Sequence, residues 1–153
     1  MNFNLPPASE YFLQVSQEIE GELSFFMLEY IRKFQPEDYE KMFEKYPASI
    51  EKLIDRGQEA EARDAVTRMH SDWQRLIKEI SYPLTSGDQK KIHAMQRNLN
   101  IDKYTYRNIL MQQAGKQSSA GMKKYEIALA INGLQLYSEG KLQVTAWDEV
   151  ANG

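Results

Sequence analysis

Apolar residues return at steps of three and four along most of this chain, the spacing of one face of an α-helix. From Ser9 onward, Phe12, Val15, Ile19, Leu23, Phe26, Tyr30 and Phe34 trace such a face. They predict one long helix with Ser9 as its N-cap after the Pro6-Pro7 break. Phe25, Leu28 and Ile31 add a second apolar stripe, so this helix is either deeply buried or shared with another chain. Pro36 ends it and opens the next helix at its first turn, through Tyr39, Met42 and Phe43. Pro47 and Ser49 start a short helix over Ile50, Leu53 and Ile54, which Gly57 closes. The last helix of this half runs from about Glu59 to Ile80, with Ala62, Val66, Met69, Trp73, Leu76 and Ile80 on one face. Two long helices joined by two short ones read as a bundle or an antiparallel hairpin. Core packing is the expected role of the aromatics, and a homodimer seam is the alternative.

The pattern breaks at Ser81-Tyr-Pro-Leu-Thr-Ser-Gly-Asp88, where Pro83 removes a helix hydrogen bond and Gly87 follows it closely. Ser86 with Gln89 fits a capping box, so a new helix is expected near Asp88. Ile92, Met95 and Leu99 give it a short apolar face. Asp102 then stands as an N-cap before the face Tyr106, Ile109, Leu110 and Ala114, with Gly115 as the closing residue. A loop over 116–121 leads to a third helix carrying Ile127, Ile131 and Leu134. Three short helices with tight turns have the size of a helix-turn-helix unit. The expected architecture is all-α: an acidic helical bundle or hairpin over 1–84, a basic three-helix module over 85–138, and a tail over 139–153. In the tail, Leu142, Val144 and Ala146 alternate with polar residues in strand fashion, ahead of Trp147. This segment either adds a strand to a partner with Trp147 as a partner-binding anchor, folds back on the chain, or stays disordered.

Composition narrows the function classes. With 153 residues and 42% apolar content the chain is long enough to bury a core. No apolar run approaches the roughly 18 residues of a membrane span. Met1 to Pro7 has neither the basic nor the apolar region of a signal peptide, so a cytoplasmic protein without membrane contact is expected. The absence of cysteine removes disulfides, thiolate metal sites and cysteine nucleophiles together.

The net charge of −3 hides an asymmetry. Residues 1–84 carry 10 basic against 16 acidic side chains, or −6, and residues 85–153 carry 9 against 6, or +3. Lys90, Lys91, Arg97, Lys103, Arg107, Lys116, Lys123 and Lys124 fall mainly on the polar faces of the second half, with Tyr104 and Tyr125 among them. Basic side chains neutralise phosphates, while tyrosines stack on bases or bond phosphate oxygens. A solvated lysine face is the alternative. Known catalytic and nucleotide-binding signatures are missing: no H-E-x-x-H, G-x-G-x-x-G, Walker A or G-x-S-x-G run occurs. His70 and Asp72 diverge on one helix, so no metal site is expected there. No enzyme, catalytic residue or cofactor is expected.

The run Lys91-Ile-His93, then Leu99-Asn-Ile-Asp102, Thr105-Tyr-Arg107 with Ile109-Leu110, Gly115-Lys116 and Ser118-Ser119 resembles the GemA family of phage Mu-type regulatory proteins. That family's pattern is approximately K-I-H, L-G-L-D, T-Y-R-x-L-L and G-K-x-S. The resemblance covers about 86–137, a third of the chain, with Asn100 in place of the usual glycine and Lys123 in place of the frequent Thr or Ser cap. A similar short helical module ends some phage single-strand annealing proteins. The resemblance implies a non-catalytic phage-type regulator of DNA metabolism or host takeover, acting in the host cytoplasm. Lys90, Lys91, His93, Lys103, Arg107, Lys116, Lys123 and Lys124 are the expected DNA-contacting residues. The acidic half would bind a host or phage protein, or a second copy. One rival reading is a protein-binding inhibitor or adaptor of a host DNA-processing or defence complex that touches no nucleic acid. Another is an accessory of single-strand annealing recombination.

Overall fold

The computed structural model describes residues 5–83 and 85–144. The regular elements among them are helices, and the fold is all-α. The chain divides into two compact units, Met1–Glu79 and Ile80–Gly153.

In the first unit, α1 spans Ala8–Glu22 and α2 spans Phe25–Phe34. The single long helix expected from the apolar spacing is therefore two. Leu23 and Ser24 turn extended, and the Ser24 hydroxyl accepts the Met27 amide at 3.2 Å, which restarts the helix although the apolar face runs on. The expected Ser9 cap is also displaced. Ala8 already opens α1, and its amide donates to the Glu59 carboxylate instead of to a neighbouring side chain.

Pro36 opens α3 (Pro36–Glu40) as expected. The chain then stays helical through a π turn at Lys41–Lys45 into α4 (Tyr46–Asp55), so Pro47 does not restart a helix. In an α-helix the Pro47 ring would meet the carbonyl four residues back. The wider turn, in which the Tyr46 amide reaches back five residues to the Lys41 carbonyl, provides the space.

The fifth helix, α5 (Glu59–Ile80), has the bounds its pattern predicts. Ala62, Val66, Met69, Trp73, Leu76 and Ile80 are all buried. Each fully buried large apolar side chain contributes about 1.5–3 kcal/mol relative to exposure. Ala8 meets Glu59, Tyr11 meets Thr67, Glu18 meets His70 and Glu22 meets Trp73. Contacts in the same order along both helices mean that α1 and α5 run in the same direction. Of the two arrangements left open by the sequence, the bundle is the one formed.

The second unit is built on α6 (Ser86–Asn98), α7 (Lys103–Ala114) and α8 (Lys124–Ser138). The cap of α6 falls one residue earlier than expected. Thr85 and Asp88 form the reciprocal box, because Asp88 at the third helical position accepts the Thr85 amide at 3.2 Å and the Thr85 hydroxyl accepts the Asp88 amide at 3.3 Å. The core joins Ile92 of α6, Ile101, Tyr106, Ile109 and Leu110 of the middle segment, Met122, and Ile127, Ala130 and Leu134 of α8. Residue 100 ends α6 in the left-handed region, φ 56°. Asparagine tolerates that conformation better than other residues with a side chain. The tail does not form a strand over 141–144. Residues 141–144 fold back instead, with Leu142 and Val144 against the core and the Gln143 carbonyl accepting Gln112 Nε2 at 3.1 Å, while Ala146 lies outside the described residues.

Candidate nucleic-acid interface

Helix starts carry exposed amides and a positive dipole end, so acids are drawn to them. In the second unit this recruits almost every described acid. Asp88 closes the box at α6. Asp102 caps α7 by accepting the Thr105 amide at 3.3 Å, and the Thr105 hydrogen bonds hold its carboxyl below the usual range. Glu126, only 4% exposed, accepts the Lys123 amide and the Lys116 ammonium, each at 2.9 Å. Glu139 pairs with Lys141 at 3.2 Å.

The basic side chains are placed differently. Lys90 and Lys91 stand exposed on α6, one turn beyond its cap. Lys103 is exposed at the start of α7, and Arg107 is half-buried one turn later on the same side. Lys123 and Lys124 are exposed at the start of α8. Lys90, Lys91, Lys103, Arg107 and Lys123 make no ion pair with an acid among the described residues. Lys116 does pair: its ammonium bridges Glu126 and the Gly121 carbonyl and so braces the loop that leads into α8. His93 is exposed, with Nε2 3.4 Å from the Ser119 hydroxyl and its ring tilted against Tyr106 at 6.2 Å.

The structure thus brings Lys116 and Lys123 together at Glu126, and His93 to the same loop at Ser119. Lys90 and Lys91, and Lys103 with Arg107, remain surface pairs on their own helices. Tyr104 is exposed as expected, at 62%. Tyr125 is not: it is 7% exposed and part of the interior, because it lies on the face of α8 that also buries Leu129. Trp147 lies outside the described residues.

Two residues near these cations were given no site role by the sequence pattern. Ser119 is 2% exposed beneath His93, and nothing in a Gly- and Ser-bearing loop signals which serine turns inward. Tyr82 was absorbed into the Pro83 break. Its carbonyl accepts the Lys124 amide at 2.9 Å, and Pro83 forms an isolated antiparallel bridge with Lys123. The Tyr82 side chain remains 65% exposed. The Tyr106 hydroxyl, by contrast, is buried, and burial raises its pKa above the usual value although Ser119 beside it works the other way.

In the first unit six of the ten lysines and arginines pair with acids, while Lys52, Arg56, Arg68 and Lys78 make no ion pair among the described residues. Arg32 and Lys33 pair with Glu29, Lys45 with Glu40, Arg63 with Glu59, and His70 with Glu18. Lys41 and Arg75 both reach Asp72 at 2.9 Å, and the Tyr46 hydroxyl donates to it as well. Burial pushes the Asp72 carboxyl up, but these hydrogen bonds and cations outweigh it and hold it below the usual range. Among the described residues no group of three His, Cys, Asp or Glu side chains is arranged to hold a metal ion, and no helix is long and apolar enough to cross a membrane. Comparison with family models, curated proteins and solved structures finds no match for this chain.

Proposed function

We propose that this chain is a non-catalytic, phage-type regulator of DNA metabolism or host takeover that contacts nucleic acid through its second unit. Lys90, Lys91, Lys103, Arg107 and Lys123 are the principal phosphate contacts, with His93, Lys116 and Lys124 beside them. One observation carries the reading. The described acids of this unit serve helix caps and local pairs, while these five cations have no acidic partner among the described residues. Unpaired lysines and arginines leave a positive field that polyphosphate neutralises, with release of counterions. The test is fluorescence anisotropy of labelled duplex and single-stranded DNA titrated with the full chain at two salt concentrations. Binding that weakens steeply with salt supports the reading, and no binding to either DNA at low salt removes it.

A second reading is a protein-binding inhibitor or adaptor of a host DNA-processing or defence complex. It is favoured by α2, which leaves Phe25 67% and Phe34 43% exposed. Exposed aromatics of this kind serve as anchors in protein interfaces. Under this reading the alanine variants of both phenylalanines lose a protein partner, and the lysine variants of the second unit do not affect it.

A further inference from the structure

The second unit carries three exposed tyrosines, Tyr82, Tyr104 and, at 36%, Tyr137, and the first two adjoin basic residues along the chain or across the Pro83 bridge. Tyr82, 65% exposed, is fixed at the start of α8 by the bond from the Lys124 amide to its carbonyl and by the bridge from Pro83 to Lys123. Tyr104, 62% exposed, follows the exposed Lys103 on α7 and precedes Arg107 by three residues, which puts Arg107 on the neighbouring turn. Tyr106 and Tyr125 of the same unit are sealed into the interior at 6% and 7%. Tyr82 and Tyr104 therefore contribute little to the core. Their hydroxyls do not serve the fold through any side-chain hydrogen bond within the described residues.

An exposed phenol ring beside a lysine offers two things at once: an aromatic face and a phosphate contact. A duplex accepts only the second, because its base faces are stacked on one another. An unpaired base accepts both, and stacking on an aromatic side chain tolerates any base. We infer that the ligand of the second unit is single-stranded nucleic acid, with Tyr82 and Tyr104 as base-stacking platforms flanked by Lys123 and by Lys103 with Arg107. This inference rests on the phosphate-contact reading above and adds the strand state of the ligand. It also assigns a role to Tyr82.

The experiment compares single-stranded and duplex DNA of the same length and sequence, each fluorescently labelled, in anisotropy titrations with the full chain at one salt concentration. The variants are Tyr82→Ala, Tyr82→Phe, Tyr104→Ala and Tyr104→Phe. Because both side chains are exposed, the variants keep the fold, which circular dichroism checks. Single strands are expected to bind more tightly than duplex. Each alanine variant should weaken single-strand binding roughly five- to a hundredfold, and each phenylalanine variant should keep most of it. Duplex bound as tightly as single strand, with the alanine variants unchanged, overturns this inference and leaves phosphate contact standing. Phenylalanine variants that lose as much as the alanine variants also overturn it, since the hydroxyl and not the ring would then carry the contact. Binding of neither DNA at low salt overturns both readings.

Discussion

The Lys116 ammonium meets the Glu126 carboxylate at 2.9 Å, and the same carboxylate oxygen accepts the Lys123 amide at the start of α8. One buried acid thus caps a helix and ties down the loop that carries Ser119 beneath His93. Removing it leaves the Lys123 amide without its acceptor and leaves Lys116 only the Gly121 carbonyl. Glu126→Ala is expected to destabilise the protein by about 1–3 kcal/mol, the usual cost of an unsatisfied buried polar group. Glu126→Gln, which keeps an acceptor oxygen, should lose less. Urea unfolding of both variants checks the order, and an alanine variant as stable as the parent contradicts it.

Gly133 of α8 packs directly against α7. A Cβ there would stand 2.5 Å from Gln113 Cγ and 3.0 Å from Ile109 Cγ2. Alanine in a helix interior gains about 1 kcal/mol over glycine. Forcing an extra methyl into a packed seam costs about 1–3 kcal/mol. The second effect wins, because Ile109 is fully buried and has no room to yield. Gly133→Ala should lower the thermal midpoint, and a raised midpoint would show that the two helices separate without cost.

At Asn100 the backbone sits at φ 56°. Asn100→Gly removes the remaining Cβ strain and should leave stability equal or slightly higher. Asn100→Ala should cost about 1 kcal/mol, since alanine gains nothing locally to offset the left-handed conformation. Chemical denaturation of the pair separates the two directions.

Asp72 provides the pH dependence of the first unit. Its carboxyl is held below the usual range, so the folded state binds its proton less readily than the unfolded chain does. The stabilisation is therefore complete above the ordinary carboxylate pKa of about 4, and is lost as pH falls through the lower folded value. Asp72→Asn should reduce stability at neutral pH by about 1 kcal/mol, discounted for the partial exposure of Lys41 and Arg75. The difference from the parent should shrink on acidification. A constant difference across pH would mean that the charge of Asp72 contributes nothing.

Much of the fold was legible because its elements obey one rule at a time. The apolar face of α5 predicts both its bounds and its buried residues, and Asp102 and Gly115 mark the ends of α7 as they were expected to. The failures occur where two rules compete. Apolar spacing continues through Leu23 and Ser24, yet the Ser24 cap divides the helix, and periodicity alone does not register a cap in mid-pattern. Pro47 signals a helix start, but a π turn absorbs it. Thr85 and Ser86 are both able to cap α6. Asp88, three residues after Thr85, decides for the threonine. The basic residues of the candidate interface were visible by composition. Which of them lack acidic partners was not, since that depends on which acids the helix starts recruit. Tyr82 was hidden for a related reason: its place beside Lys123 comes from a bridge between segments 40 residues apart in sequence.

Nucleic-acid contact by the second unit is decided by the salt dependence of DNA affinity for the full chain, compared with its Lys90→Glu/Lys91→Glu variant. Phosphate contact predicts a steep negative slope of log affinity against log salt. It also predicts that the slope flattens by about 0.7–0.9 for each contact removed. Binding that ignores salt, or a slope unchanged in the variant, would contradict the assignment of these lysines to nucleic acid. Absence of binding would contradict the account of the second unit as a whole.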